Sequence, residues 1–192
     1  MENYSFFALL FRQKYINRWS LMRCSTEENL STHSMETAVI AHCLAVINRD
    51  VFSGDADPDK VAVYALFHDA SEVLCGDLPS PVKYSGEELK NAYKKIEEES
   101  AKSLLSKLPS ELKSAYEAPV YEKADPLTHR LVKTADKLCA LIKCIEEIKC
   151  GNLEFTSAEK SIRENLKEYE SRELEYFTEH FLPSFGKTLD EL

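Results

Sequence analysis

The chain has 192 residues, with 33 Asp and Glu against 24 Lys and Arg, a formal net charge of −9. That balance excludes a protein built to grip long nucleic acid, which needs clustered Lys and Arg, but it allows a small anion at one local positive site. The length fits one domain, taken as residues 1–192, and a hydrophobic content of 44% is enough for a substantial core. The six cysteines form no C-x-x-C pair, so a structural zinc knuckle is not expected. Three of them fall in one expected helix among apolar residues and read as reduced, buried thiols. The start, Met1-Glu2-Asn3-Tyr4, puts an acid where a signal peptide needs basic charge. The apolar run Phe6 to Phe11 is too short for a membrane span, so a cytoplasmic protein with no membrane association is expected.

Only five glycines occur, and no run of alternating β-branched residues stands out, so the pattern is all-α. The first helix is expected over about 4–17. The second follows Ser31-Thr32-His33-Ser34, with Met35, Val39, Cys43 and Val46 on one stripe. Asp57-Pro58, an N-cap followed by proline, starts a third helix that reaches about Asp69-Ala70. The segment Cys75-Gly76-Asp77-Leu78-Pro79-Ser80-Pro81 reads as a shaped loop. A charged helix over about 86–107 reads as a solvated face, and Pro109 and Pro119 bracket a short helix. Residues 127–150 form the clearest amphipathic helix, striped by Leu131, Ala135, Leu138, Ile142, Ile145 and Ile148 and closed by Gly151. A last helix opens on the capping-box pattern Thr156-Ser157-Ala158-Glu159 and runs to about Phe181.

Within this frame one constellation carries chemistry. His33 stands near the start of the second helix, the doublet His68-Asp69 at the end of the third, and Asp136 inside the apolar stripe of the 127–150 helix. A bare carboxylate against a core is costly unless it is paired or bound to metal. Three converging helices can set these four ligands around one divalent ion and keep positions open for water. Glu72, three or four residues past the doublet, stands one helical turn on, where it can orient or deprotonate the attacking water. His42, His129 and His180 read as ordinary histidines. Only His129 falls between Asp69 and Asp136, too few imidazoles for a typical second metal site, so a mononuclear site is favoured. Mixed imidazole and carboxylate ligands accept cobalt, manganese, zinc or iron.

The order His33…His68-Asp69…Asp136 resembles the HD-domain metal-dependent phosphohydrolases, whose fold is an all-α helical bundle. Longer strings resemble the bacterial 5′-deoxynucleotidases within that superfamily. They are residues 16–23 (INRWSLMR), 68–84 (HDASEVLCGDLPSPVKY), 131–136 (LVKTAD) and the C-terminal 181–185 (FLPSF), so the resemblance covers nearly the whole chain. Ser80 departs from the Thr of that family but keeps a hydroxyl. The resemblance implies removal of phosphate from deoxyribonucleoside 5′-monophosphates, a single divalent cation (cobalt, then manganese) and a homodimer. It implies that Arg18, Trp19, His33, Asp69, Asp77, Leu78, Pro79, Ser80 and Asp136 line the substrate, with Glu72, Asp77 and Arg18 catalytic. Asp69 and Asp136 neutralise a dication, and Glu72 and Asp77 then leave about −2 facing a phosphate of about −1.5 to −2, so a cation such as Arg18 is needed. Trp19, the sole tryptophan, would wall off a 2′-hydroxyl. An HD phosphohydrolase acting on another nucleotide or a phosphodiester, or a nucleotide-binding protein with a relict site, are the alternatives.

Overall fold

Aspartate–proline pairs start the two helices that flank the core. Asp57 Oδ1 accepts from the Lys60 amide at 3.1 Å and Pro58 opens α3 (Pro58–Phe67). Asp125 Oδ1 accepts from the Thr128 amide at 2.9 Å and Pro126 opens α8 (Pro126–Lys149). Each pair satisfies one orphan amide with a carboxylate and places proline where its missing N–H costs nothing. Between them in space lies α2 (Leu30–Val46), capped by Asn29. This is a computed structural model, and it describes residues 3–83, 85–169 and 171–192. Tyr84, the last residue of the second resemblance string, lies outside them. Among the described residues no strand forms, and a lone β-bridge pairs Asn17 with Asn29.

The main core is built where α2 packs on α3 and α8. Ala38, Ala41, Leu44 and Ala45 of α2 meet Val61 and Ala65 of α3 and Leu131, Ala135 and Leu138 of α8. The small residues let the three backbones approach closely, which brings side chains on all three helices to one point. Leu174 and Phe177 of α10 (Arg172–His180) cover the far side. A second cluster joins Phe6 of α1 (Phe6–Leu10) to Ala101, Leu104 and Leu105 of α6 (Glu87–Leu105) and Val120 of α7 (Ser110–Val120).

Several sequence expectations are corrected. The stripe Met35–Val39 points outward, at 51% and 60% exposed, because α2 carries apolar residues on more than one face and its alanine face wins the core. The first helix ends at Leu10 and tightens into a 3₁₀ turn, Phe11–Tyr15. The third helix stops at Phe67, and three-residue turns carry the chain through His68–Ser71 into the short α4 (Glu72–Cys75). Only residues 76–79 of the expected loop are irregular, since Ser80 and Pro81 begin the short α5 (Ser80–Lys83), where proline in a first turn is tolerated. The single C-terminal helix is two, α9 (Thr156–Leu166) and α10, the second capped by Ser171. Thr156 forms no capping box, because α9 is entered from a 3₁₀ turn that makes Phe155 the cap residue. Pro119 lies inside α7 rather than beyond it. Cys139 and Cys144 are buried, but Cys150, just past α8, is exposed. The span Leu30–Val51 is long and apolar enough to cross a membrane by composition, yet 56% of its most apolar stretch is buried within the protein.

A buried polar knot ties the turn that follows α2, residues 47–51, to α8 and α10. Glu173 accepts from Asn48 Nδ2 at 2.5 Å, Ser171 Oγ at 2.6 Å and Arg130 Nη1 at 3.0 Å. Burial alone would raise this carboxyl, but the bonds from Arg130, Ser171 and Asn48 outweigh it and draw it down from 4.5 to about 2. A depressed folded-state value means that Glu173 stabilises the fold above pH 4.5 and that this contribution fades as pH falls toward 2. Glu173→Gln is expected to cost about 1–3 kcal/mol at pH 7 and to flatten the acid limb of the stability curve between those values. Denaturant unfolding of both proteins from pH 7 to pH 2 checks it, and an unchanged acid limb would remove Glu173 from acid sensitivity.

Candidate metal centre

Helices α2 and α8 and the turn after α3 deliver the four expected ligands to one place. His33 Nε2 lies 3.1 Å from Asp136 Oδ1 and 3.7 Å from Asp69 Oδ2. His68 Nε2 lies 3.0 Å from Asp69 Oδ2 and 4.0 Å from Asp136 Oδ1. The donor atoms of His33, His68 and Asp136 all fall within 4.8 Å of one another, a spacing that suits a shared cation. Both imidazoles are buried.

Bonds on the far side of each ring set which nitrogen faces inward. His68 Nδ1 donates to the Ala65 carbonyl at 2.7 Å, which turns Nε2 toward the site. His33 Nδ1 lies 3.2 Å from Glu28 Oε1, the carboxylate–imidazole pairing common behind metal ligands. His68 Nε2 is buried without a well-directed hydrogen bond, an unusual cost that a bound cation would remove. The donor set and this unpartnered buried nitrogen fit a divalent transition metal.

Of the remaining predicted residues, Arg18, Glu72 and Asp77 border the same site. Arg18 Nη1 lies 3.6 Å from Asp69 Oδ2, and its Nε lies 3.0 Å from Glu28 Oε1. Glu72 is buried with Oε2 unpartnered. Burial, then Asp69 and Asp77, push its carboxyl up to about 10. Burial also pushes Asp77 up, with Arg18 pulling the other way. Burial would raise Asp69 and Asp136 too, but His68 draws Asp69 well below its ordinary value and His33 does the same for Asp136. Leu78 and Pro79 are half-buried in the 76–79 loop, while Ser80 is exposed at the start of α5. Glu72 reaches the site from a separate short helix rather than as the next turn of α3.

Trp19 sits in the left-handed region with φ +57°, costly for a bulky residue. Its indole Nε1 donates to Glu28 Oε2 at 2.8 Å, and its ring packs on Phe155 with centroids 5.2 Å apart.

Sequence reasoning missed two residues. Glu28 touches Arg18, Trp19 and His33, yet nothing in Glu27-Glu28-Asn29 marks it, since its role depends on a loop folding back. Lys133, one turn before Asp136, pairs with Glu122 at 2.6 Å; burial opposes its charge, but Glu122 and Asp136 hold it protonated above the ordinary range. The K-x-x-D spacing on a helix was its available signal.

Comparisons with known proteins place the chain among its relatives. Residues 5–185 match the family described as 5′-deoxynucleotidase YfbR-like. A 5′-deoxynucleotidase of Vibrio cholerae is 45% identical over 193 residues, covering 100% of both chains. One of Erwinia tasmaniensis is 47% identical over 189 residues, covering 97% of this chain and 95% of that one. Among solved structures, an HD-domain phosphohydrolase of Listeria innocua superposes with a TM-score of 0.83 at 25% identity, over 94% of this chain and 88% of that one. A cyanophage S-2L HD phosphohydrolase, solved with dA and one catalytic Zn²⁺, shares the fold at a TM-score of 0.64 and 17% identity, over 92% of this chain and 96% of that one. The all-α fold, the hydrolytic ligand set and these relatives converge: the chain belongs to the YfbR-like 5′-deoxynucleotidase family and is a hydrolase of the HD-domain fold.

Proposed function

We propose that residues 1–192 form one domain that hydrolyses deoxyribonucleoside 5′-monophosphates to deoxynucleoside and phosphate. The observation that carries this reading is the placement of Arg18 and Trp19, gripped by one carboxylate, beside two inward-facing imidazoles and two aspartates. His33, His68, Asp69 and Asp136 would hold one divalent cation, with cobalt favoured and manganese next. Such a cation polarises the phosphoryl group and acidifies a water.

The chain's own residues supply the rest. Arg18 offers its guanidinium to the phosphate oxygens and offsets the surplus of carboxylates around it. Burial beside Asp69 and Asp77 keeps Glu72 protonated in the metal-free protein; with those carboxylates offset by a bound cation, Glu72 is free to orient the attacking water and take its proton. Asp77, in the loop opposite, shares the handling of protons as the water oxygen bonds to phosphorus and the bond to the 5′-oxygen breaks. The Trp19 ring closes the sugar side against a 2′-hydroxyl, and Leu78, Pro79 and Ser80 supply the remaining sugar and phosphate contacts. The enzyme works in the cytoplasm as a homodimer, and the outward apolar face of α2 is available for pairing.

Phosphate release from dAMP and AMP by chelator-treated protein, with cobalt, manganese or no metal added, tests the reading. Metal-dependent release from dAMP alone is expected; equal release from both would discard the deoxy-specific reading, and none with any metal would discard the hydrolase mechanism. Arg18→Ala is expected to lower kcat/KM for dAMP by about 10²-fold or more while the metal stays bound, and unchanged kinetics would remove Arg18 from the site. Trp19→Ala is expected to admit AMP, and continued exclusion would refute the steric wall.

Metal binding is expected to release a proton. Burial and Arg18 oppose charge on His33, but the bonds to Asp136 and Glu28 outweigh them and raise it from 6.5 to about 9. Metal-stripped protein therefore carries a proton on His33 at pH 7 that ligation displaces, and cation affinity should rise with pH up to about 9. Titration calorimetry in buffers of different ionisation enthalpy measures it; identical heats in all buffers would contradict the assignment.

A further inference from the structure

Glu28 lies in a segment that leaves the 3₁₀ turn at Tyr15 and returns to α2. The segment is closed at its base by the Asn17–Asn29 bridge and by the Leu30 amide donating to the Ile16 carbonyl at 2.9 Å. It is held elsewhere by Glu147 of α8, which accepts from the Ser25 and Thr26 amides at 2.7 Å and 3.2 Å. Those contacts fix the backbone. The functional side chains depend on Glu28, which is 9% exposed.

Its two carboxylate oxygens are divided among three groups. Oε1 lies 3.0 Å from Arg18 Nε and 3.2 Å from His33 Nδ1, and Oε2 accepts from Trp19 Nε1 at 2.8 Å. Its backbone carbonyl also accepts from the Arg18 amide at 2.9 Å. A left-handed tryptophan persists only where its surroundings over-determine it, and here the restraints are the Glu28 bond and the Phe155 ring. Among the described residues Glu28 is the carboxylate beside Arg18 Nε, at ion-pair distance though without a well-directed hydrogen bond, whereas Arg18 Nη1 faces Asp69 and the site. Holding Nε from behind aims the other end of the fork forward.

We infer that Glu28 is a specificity-determining positioning residue that sets the phosphate cation, the sugar wall and one metal ligand in register from a single carboxylate. This rests on the reading of Arg18 and Trp19 as phosphate and sugar contacts. Phosphate affinity and rejection of the 2′-hydroxyl are then coupled, and disturbing Glu28 loosens both at once. Glu28 needs no contact with substrate to do this.

Glu28→Gln is nearly isosteric and removes the charge that Arg18 and His33 share. Relative to wild type, it is expected to lower the dAMP-to-AMP ratio of kcat/KM at least tenfold, with KM for dAMP rising more than kcat falls. The same variant should lose about tenfold or more in cobalt affinity, the scale typical of residues that orient a metal-ligating histidine. Because Trp19 is the sole tryptophan, its emission is a readout independent of turnover, and it should shift and become more accessible to acrylamide. Glu28→Asp keeps the charge and shortens the reach, so it should restore cobalt affinity more than sugar discrimination; if Glu28→Gln does not fold, this variant alone carries the test. A folded variant with wild-type sugar discrimination overturns the inference, as does wild-type Trp19 emission. Equal turnover of dAMP and AMP by the wild-type protein would sink the deoxynucleotidase reading instead, so the two failures are distinguishable.

Discussion

Taking a carboxylate out of water costs several kcal/mol unless a positive group meets it, and this protein gathers Glu28, Asp69, Glu72, Asp77 and Asp136 around one point with Arg18 as the nearest guanidinium. The surplus of negative charge explains most of what is unusual there. His33 takes up a proton well above the ordinary imidazole range, Glu72 refuses to give one up, and Lys133 is held charged from the next turn of α8. Each shift supplies positive charge or withholds negative charge. A divalent cation does the same in one step, so the drive to bind metal and the cost of assembling the site have a common origin.

Division of labour between helices and loops follows from what each contact tolerates. The histidines and Asp136 must meet within a few tenths of an ångström, and His33 and Asp136 sit on long helices locked by a core of alanine and leucine. Arg18, Trp19, Asp77, Leu78 and Pro79, the residues proposed to meet substrate, come from irregular segments, where insertions and altered side chains leave the core untouched. Glu28 joins the two sets, because the carboxylate that backs a metal ligand also restrains the loop.

Much of this was legible in the sequence, for physical reasons that can be named. Asp57-Pro58 and Gly151 mark helix ends through local chemistry alone, and both stand where expected, the latter at φ +85°. Asp136 stands out because a carboxylate in an apolar helical stripe needs a partner, and His33, His68 and Asp69 join it through the H…HD…D order rather than through local pattern. Local pattern failed where tertiary context decides. With apolar residues on more than one face, α2 does not announce which face is buried, and the Met35 and Val39 stripe points outward while the alanines fit more closely. The turns at His68–Ser71 have no glycine or proline to announce them. Glu28 was invisible because an acid in a polar loop looks the same whether it faces water or an arginine.

Helix α8 brings Asp136 to the metal site and Glu147 to the Ser25 and Thr26 amides. The two residues are eleven positions apart, about three helical turns at 3.6 residues each, so both point to the same side of the protein. Inserting or deleting one residue between them would swing one end about 100° relative to the other. The substrate segment and the metal ligand would then be addressed to different faces. The stretch from 136 to 147 therefore acts as a molecular ruler: homologues should drift freely in composition along its outer side, while its length stays fixed across the lineage.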